Sequence, residues 1–274
     1  MMLKDKSRHR LSLISLWQTV FGDEPDFIDL IFKKEYESPV LCFAEIIDDK
    51  AVSAFYLIEN TLKFENKYYH GYYLYAAATL PEYRKAGLMS GLINEALTYC
   101  EKNGADFVSL VPSEESLYSY YSRFGFCKAM YRFVSARASS AQCADRSLEA
   151  ITDSEKILEI RNSLEGNLIS FSPSSFGYAA DVLAYSGFRF KKLSDDGYLL
   201  FSPGDKFAEL FSSERSLEKN LLIAGNSLSA VTSPFAPAGF DECECVPFGM
   251  LYPINALLKR DWKYTDIYMN IALD

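Results

Sequence analysis

Histidine is nearly missing from this chain, with only His9 and His70. That count nearly excludes a metal site built from histidines and a Ser-His-Asp triad. Cysteine is present but unorganised. Cys42, Cys100, Cys127, Cys143, Cys243 and Cys245 show no zinc spacing, and the Cys243-x-Cys245 pair has no second pair to answer it. No metal is expected. Long apolar runs are missing too: nowhere are there about 18 apolar residues in a row, the length a membrane span needs. The basic N-terminus leads into an apolar stretch at 11–17 that Ser12 and Ser15 break, and no cleavage pattern follows. No membrane contact and a reduced, cytoplasmic setting are expected. Basic charge is scarce, with 28 Lys+Arg against 37 Asp+Glu and a net charge of -9. Nucleic acid is therefore not an expected partner, because phosphate backbones are held by clustered cations. The acidic excess lies mostly after residue 140, where it either attracts a cationic substrate or simply solvates a surface.

What the chain does have is apolar material. Hydrophobic residues make up 49% of 274 positions and aromatic residues 15%, enough for two domains with sheet-rich cores. Leu11, Ile14, Leu16, Trp17 and Phe21 recur at helical spacing until Gly22 stops them, and Asp26 is placed to cap a second helix. Segments 40–46 and 51–58 read as strands around an Asp48-Asp49-Lys50 hairpin turn, and 62–64 with 68–69 as another hairpin. Segment 72–80 is a continuous apolar run, the signature of a strand covered on both faces. Residues 85–103 form the clearest helix, with Leu88, Leu92, Ala96 and Cys100 on one stripe. The small, polar segment 136–145 reads as a linker. Beyond it, Thr152-x-x-Glu155 reads as a capping box, followed by a helix at 176–186 and strands at 188–193, 198–201, 207–211, 228–232 and 242–251. A helix at 217–224 and a strand-like tail at 261–274 complete the second half. The fold class is α/β (α+β). The expected division is a domain at 1–137, a linker at 138–148 and a second domain at 149–274.

The stretch from 72 to 97 carries the chemistry. A buried strand that turns straight into a helix leaves the first-turn N–H groups free, and the helix dipole favours an anion there. Gly87 allows close backbone approach, and Arg84 and Lys85 add positive charge at the mouth. A pyrophosphate would satisfy these groups; an ordinary βα turn with surface charges has the same composition. Arg84-Lys85-Ala86-Gly87-Leu88-Met89 resembles the pyrophosphate motif of the GNAT superfamily of N-acetyltransferases, Arg/Gln-x-x-Gly-x-Gly/Ala, and Pro81-Glu82-Tyr83 resembles its lead-in. Met89 departs from the second small position. The segment 117–126 is similar to a second family element ending in Gly-Phe.

The resemblance covers residues 10–135 and implies acetyl-CoA as donor. Its pyrophosphate would be held by Arg84, Lys85, Ala86, Gly87, Leu88, Met89 and Ser90, and its pantetheine arm would lie along Ala77, Ala78 and Thr79. It places the catalytic acid at Tyr121, which would protonate the departing thiolate. The second half resembles the family in element order alone. Aligned on Arg215, Glu218 falls where Gly87 stands, which implies a degenerate GNAT-like domain without a cofactor site. The tandem layout resembles the enhanced-intracellular-survival acetyltransferases. A Glu base is missing from the 72–80 strand, so Glu114, Glu115, a water or the terminal Asp274 would take the amine's proton. The expected activity is direct acetyl transfer to a primary amine on a small molecule or peptide. A non-catalytic acyl-CoA-binding module and a protein lysine or N-terminal acetyltransferase remain the alternatives, and the sequence fixes no oligomeric state.

Overall fold

A computed structural model describes residues 1–3, 6–37, 40–136, 148–201, 208–213, 230–234, 242–261 and 267–269. Two helices open the chain, α1 (Arg10–Phe21) and α2 (Pro25–Glu37). Leu13, Leu16 and Trp17 of the first and Ile28, Ile31 and Phe32 of the second are buried, as one apolar stripe on each helix requires. Pro25 starts α2, since a first-turn residue needs no N–H, and Asp26 sits in the first turn rather than at the cap.

Three antiparallel strands follow: β1 (Val40–Ile47), β2 (Lys50–Phe64) and β3 (Lys67–Thr79). Asp48, Asp49, Glu65 and Asn66 all have φ between 48° and 60°, the left-handed pair that a two-residue hairpin demands. The expected break between 58 and 62 does not occur, because Asn60 is buried and hydrogen-bonded instead of turning out to water. The resulting strand of 15 residues is about 50 Å long at ordinary strand rise. It is long enough to share one edge between two partners: residues 50–58 pair with β1, and residues 60–63 pair with a strand from the second half.

Helix α3 (Leu88–Lys102) crosses to β4 (Phe107–Leu110), which pairs parallel to β3, and α4 (Glu115–Ser122) leads to β5 (Cys127–Ala136). The second half runs α5 (Ser154–Ser163), β6 (Leu168–Phe171), α6 (Pro173–Tyr185), β7 (Arg189–Ser194), β8 (Gly197–Phe201) and β9 (Ala208–Ser212). It continues through β10 (Ala230–Ser233), β11 (Glu242–Pro253), α7 (Ala256–Asp261) and β12 (Ile267–Tyr268). The cap of α5 is Asp153, whose carboxylate accepts from Glu155 N and Lys156 N; Thr152 lies one residue too early. The expected linker, apart from Leu148, and the helix expected at 217–224 lie outside the described residues.

The strands join in the order β11-β4-β3-β2-β6-β12-β5-β10-β9-β8-β7, with β1 on β2, and β11 also pairs with β5. Strand β11 therefore lies between β4 and β5, although it comes from the segment assigned by sequence to a second domain. Gly249 makes this possible: a Cβ there would meet Met130 and come within 2.8 Å of Leu110 O. Strand β12 lies between β5 and β6, and Ile267, Tyr268 and Met269 are all buried.

The second half also buries a charged cluster. Arg161 of α5 and Glu209 of β9 are 0% exposed and lie 3.2 Å apart. The hydroxyls of Tyr198 and Tyr268 donate to Glu209 at 2.8 and 2.6 Å, and Arg161 donates to Tyr198. One cluster thus ties α5, β8, β9 and β12 together.

Candidate active site

Strands β3 and β4 pair only from Gly71 to Tyr73 against Phe107 to Ser109. Beyond that point β3 runs on to Thr79 while β4 stops at Leu110, and the two strands fork. A buried side-chain bridge sits at the fork: Asn60 of β2 donates to Ser109 Oγ at 2.8 Å, across the intervening strand. Past the fork, Ala76 and Ala77 together oppose the single residue Phe55, and Ala76 has φ 52°. This is a bulge, which bends the strand and re-aims its groups; a residue with a larger side chain would bear the left-handed conformation less easily.

A cavity of about 510 Å³ opens at the fork. Ala76, Ala77, Leu110 and Tyr121 are among the residues that line it. Of the three strand residues read as cofactor contacts, Ala77 lines this cavity. Ala78 is buried and its carbonyl accepts from Ser53 Oγ at 3.2 Å, while the Thr79 carbonyl accepts from Arg84 Nε at 3.1 Å.

The loop after β3 makes a 3-10 turn at Pro81–Tyr83 and enters α3 through Gly87. Gly87 has φ 80° and Lys85 φ 67°. A Cβ on Gly87 would meet nothing within 4 Å, so the requirement for glycine is its backbone angle and not crowding by the protein. The first ladder bond of the helix is Gly91 N–H to Gly87 O at 3.0 Å. The N–H groups of Gly87, Leu88, Met89 and Ser90 therefore precede the ladder. Arg84, Lys85 and Ala86 are exposed beside them. The sequence motif folds into an exposed strand–turn–helix corner with cations at its mouth.

Helix α4 spans both features. Tyr120 has its hydroxyl 3.3 Å from Ser90 Oγ, while Tyr121, 6% exposed, points into the cavity wall. Tyr121 packs edge-on against Tyr120 at 5.2 Å and Phe126 at 5.9 Å. Burial first, and then the neighbouring Tyr120, raises its pKa, so the phenol stays protonated through the neutral range. Its hydroxyl has no hydrogen-bond partner among the described residues.

The acceptor-side groups fall differently. Glu115 pairs with Lys128 at 3.2 Å with its side chain 82% exposed, and Glu114 accepts from Ser116; neither lines the cavity. Asp274 lies outside the described residues. One carboxylate in the cavity wall was not singled out by sequence. Asp23 follows Gly22, which ends α1 at φ 73°, and its Oδ2 accepts from Trp17 Nε1 at 2.7 Å. A Gly-Asp after a helix reads as an ordinary stop, and nothing local says that this corner overlies β3.

Residues 6–129 match the family model described as acetyltransferase (GNAT) domain. No curated protein matches the chain. Among solved structures the chain resembles a probable N-acyltransferase from Enterococcus faecalis, with TM-score 0.70, 13% identity, and coverage of 93% of this chain and 71% of that one. A GCN5-related N-acetyltransferase from Anabaena variabilis gives TM-score 0.68 at 14% identity, covering 93% and 73%. Eis1 from Mycobacterium abscessus gives 0.64 at 14%, covering 93% and 72%. At such identities the likeness is one of fold, and it spans both halves of the chain. No helix among the described residues is long and apolar enough to cross a membrane. The forked sheet, the strand–turn–helix corner and the family match converge: residues 6–129 are a GNAT acetyltransferase domain, of a superfamily whose acetyl donor is acetyl-CoA.

Proposed function

We propose that the chain is an N-acetyltransferase that moves an acetyl group from acetyl-CoA directly to a primary amine, through a tetrahedral intermediate. One observation carries this reading: β3 ends in the α3 corner while its bulge opens the cavity, and Tyr121 stands in the wall between them. Arg84 and Lys85 attract the pyrophosphate, and the amides from Ala86 to Ser90 receive its oxygens. Ala77 gives the thioester arm a wall without bulk. The amine nitrogen attacks the thioester carbon, the carbon–sulfur bond breaks, and Tyr121 gives its proton to the leaving sulfur. The amine's own proton passes to a base, and Asp274 is proposed for that role because β12 brings the tail to β5 a few residues before it. A cavity of about 510 Å³ is in the range of small-molecule sites and favours a small amine over a folded protein acceptor. Glu218, where Gly87 would align, supports one donor site per chain; this position lies outside the described residues.

Thiol release from acetyl-CoA over a panel of amines tests the reading. Tyr121→Phe should lower kcat by about 10²–10⁴-fold and leave the KM for acetyl-CoA nearly unchanged. Removing residues 273–274 should also spare acetyl-CoA binding and cost most of the turnover. Full turnover in Tyr121→Phe, with chemistry shown to limit the rate, assigns Tyr121 to packing; full turnover in the truncated chain moves the base elsewhere.

A further inference from the structure

The proposed acceptor end of the cavity has a composition of its own. Phe21, Phe27, Tyr73 and Tyr75 line it from the first half, and Val182, Leu183 and Phe188 from the second. Asp23 is the one formal charge among the described residues that line the cavity. Its carboxylate accepts the Trp17 indole N–H and has no cation beside it among the described residues. A carboxylate offers about four acceptor positions, so the bond from Trp17 leaves most of its capacity open. Trp17 is itself wedged among rings, 5.1 Å from Phe21 and 5.7 Å from Tyr75, which fixes the donor and therefore the acid. At the rim, Phe21 is 42% exposed, and Phe27 of α2 packs 5.4 Å from Tyr185 of α6. The far wall is thus the C-terminal end of α6, from the second half of the chain.

We infer that Asp23 receives the acceptor's amino group, as ammonium on entry and as a hydrogen-bonded free amine once the base has taken its proton, and that the acceptor is a primary monoamine on an apolar body, aromatic or branched aliphatic. This deepens the proposed function and rests on it. One anion, flanked by aromatic faces, suits one cation. A polyamine or aminoglycoside would bring further cations against apolar walls, where each loses hydration without a partner. Apolar surface around Asp23 gives the body of a monoamine its own burial. Among the described residues that line the cavity, the second half contributes walls and no charge.

The test uses the full chain, saturated with coenzyme A, and titrates 2-phenylethylamine, isopentylamine, spermidine and an aminoglycoside by calorimetry, alongside thiol release with acetyl-CoA. The monoamines should bind and react best, and Asp23→Asn should weaken 2-phenylethylamine by about 10- to 100-fold in binding and in KM, the effect of one lost charge-assisted bond. The acetyl-CoA affinity of this variant should stay near the parent value, which also shows that it folds. Ser186→Asp, an exposed change at the cavity edge, should improve spermidine by adding a second anion. A preference for spermidine or the aminoglycoside in the parent chain, or unchanged 2-phenylethylamine binding in Asp23→Asn, overturns the inference. Failure of acetyl-CoA to bind strikes the proposed function instead, and the direct amine titration still decides the role of Asp23.

Discussion

Two regions of this molecule hold cations, and they use them in opposite ways. At the α3 corner, Arg84 and Lys85 are exposed, and the first-turn amides beside them precede the helix ladder. In the second half, Arg161 is 0% exposed, its Nη1 is taken up by Glu209 and Tyr198, and its guanidinium lies 4.8 Å over the face of Phe211, while Nε and Nη2 are buried without a hydrogen-bond partner among the described residues. The first arrangement leaves charge available to a ligand. The second consumes it in joining four elements. Charge on its own therefore says little about binding; what matters is whether the fold has already answered it.

The largest expected effect comes from breaking the internal cluster. Arg161→Leu leaves Glu209 buried without its cation and should destabilise the protein by about 3–5 kcal/mol, read from the urea midpoint. Adding Glu209→Gln should recover much of that loss, because the orphaned charge is then gone. A loss below about 1 kcal/mol in the single variant would mean that the pair contributes nothing beyond packing. At the corner the balance reverses. Arg84→Ala should leave stability within about 0.5 kcal/mol, as exposed substitutions do, and weaken acetyl-CoA by about 10-fold, read by calorimetry.

The smallest effect separates the regions by pH. Tyr198 and Tyr268 have pKa values raised well above the ordinary 10.0, chiefly by burial, and Tyr121 is raised as well. The folded state therefore keeps protons that the unfolded chain gives up near pH 10. Their stabilisation is complete below pH 10 and falls as the pH climbs beyond it. Stability should be flat in this respect from about pH 8 to 9.5 and drop above 10, and Tyr268→Phe should make that drop shallower. An equal slope in parent and variant would mean that Tyr268 ionises as freely in the fold as outside it.

The same contrast explains what the sequence made legible. The corner was readable because each of its signals is local: an apolar strand, a glycine that φ 80° requires, and a helix stripe of Leu92, Ala96 and Cys100. The hairpin at Asp48-Asp49 was readable for the same reason. Arg161 reads as a solvated charge on a helix until Glu209 and Tyr198 come to it from distant strands. Strand β6 is four residues long, too short for a period to appear. The placement of β11 between β4 and β5 depends on partners more than a hundred positions earlier, which no local pattern encodes. Asp23 was missed on similar grounds: its chemistry comes from what its corner overlies, and its neighbours in sequence suggest nothing beyond a helix end.

The central claim is that the α3 corner is the acetyl-CoA site and the second half holds none. Calorimetry of acetyl-CoA on the full chain and on Gly87→Glu tests it most directly. The account predicts one site per chain. In Gly87→Glu, where a carboxylate enters the corner and a side chain must adopt the left-handed backbone, it predicts no measurable binding in a protein that is still folded. Two sites per chain, or unchanged affinity in the folded variant, would contradict it.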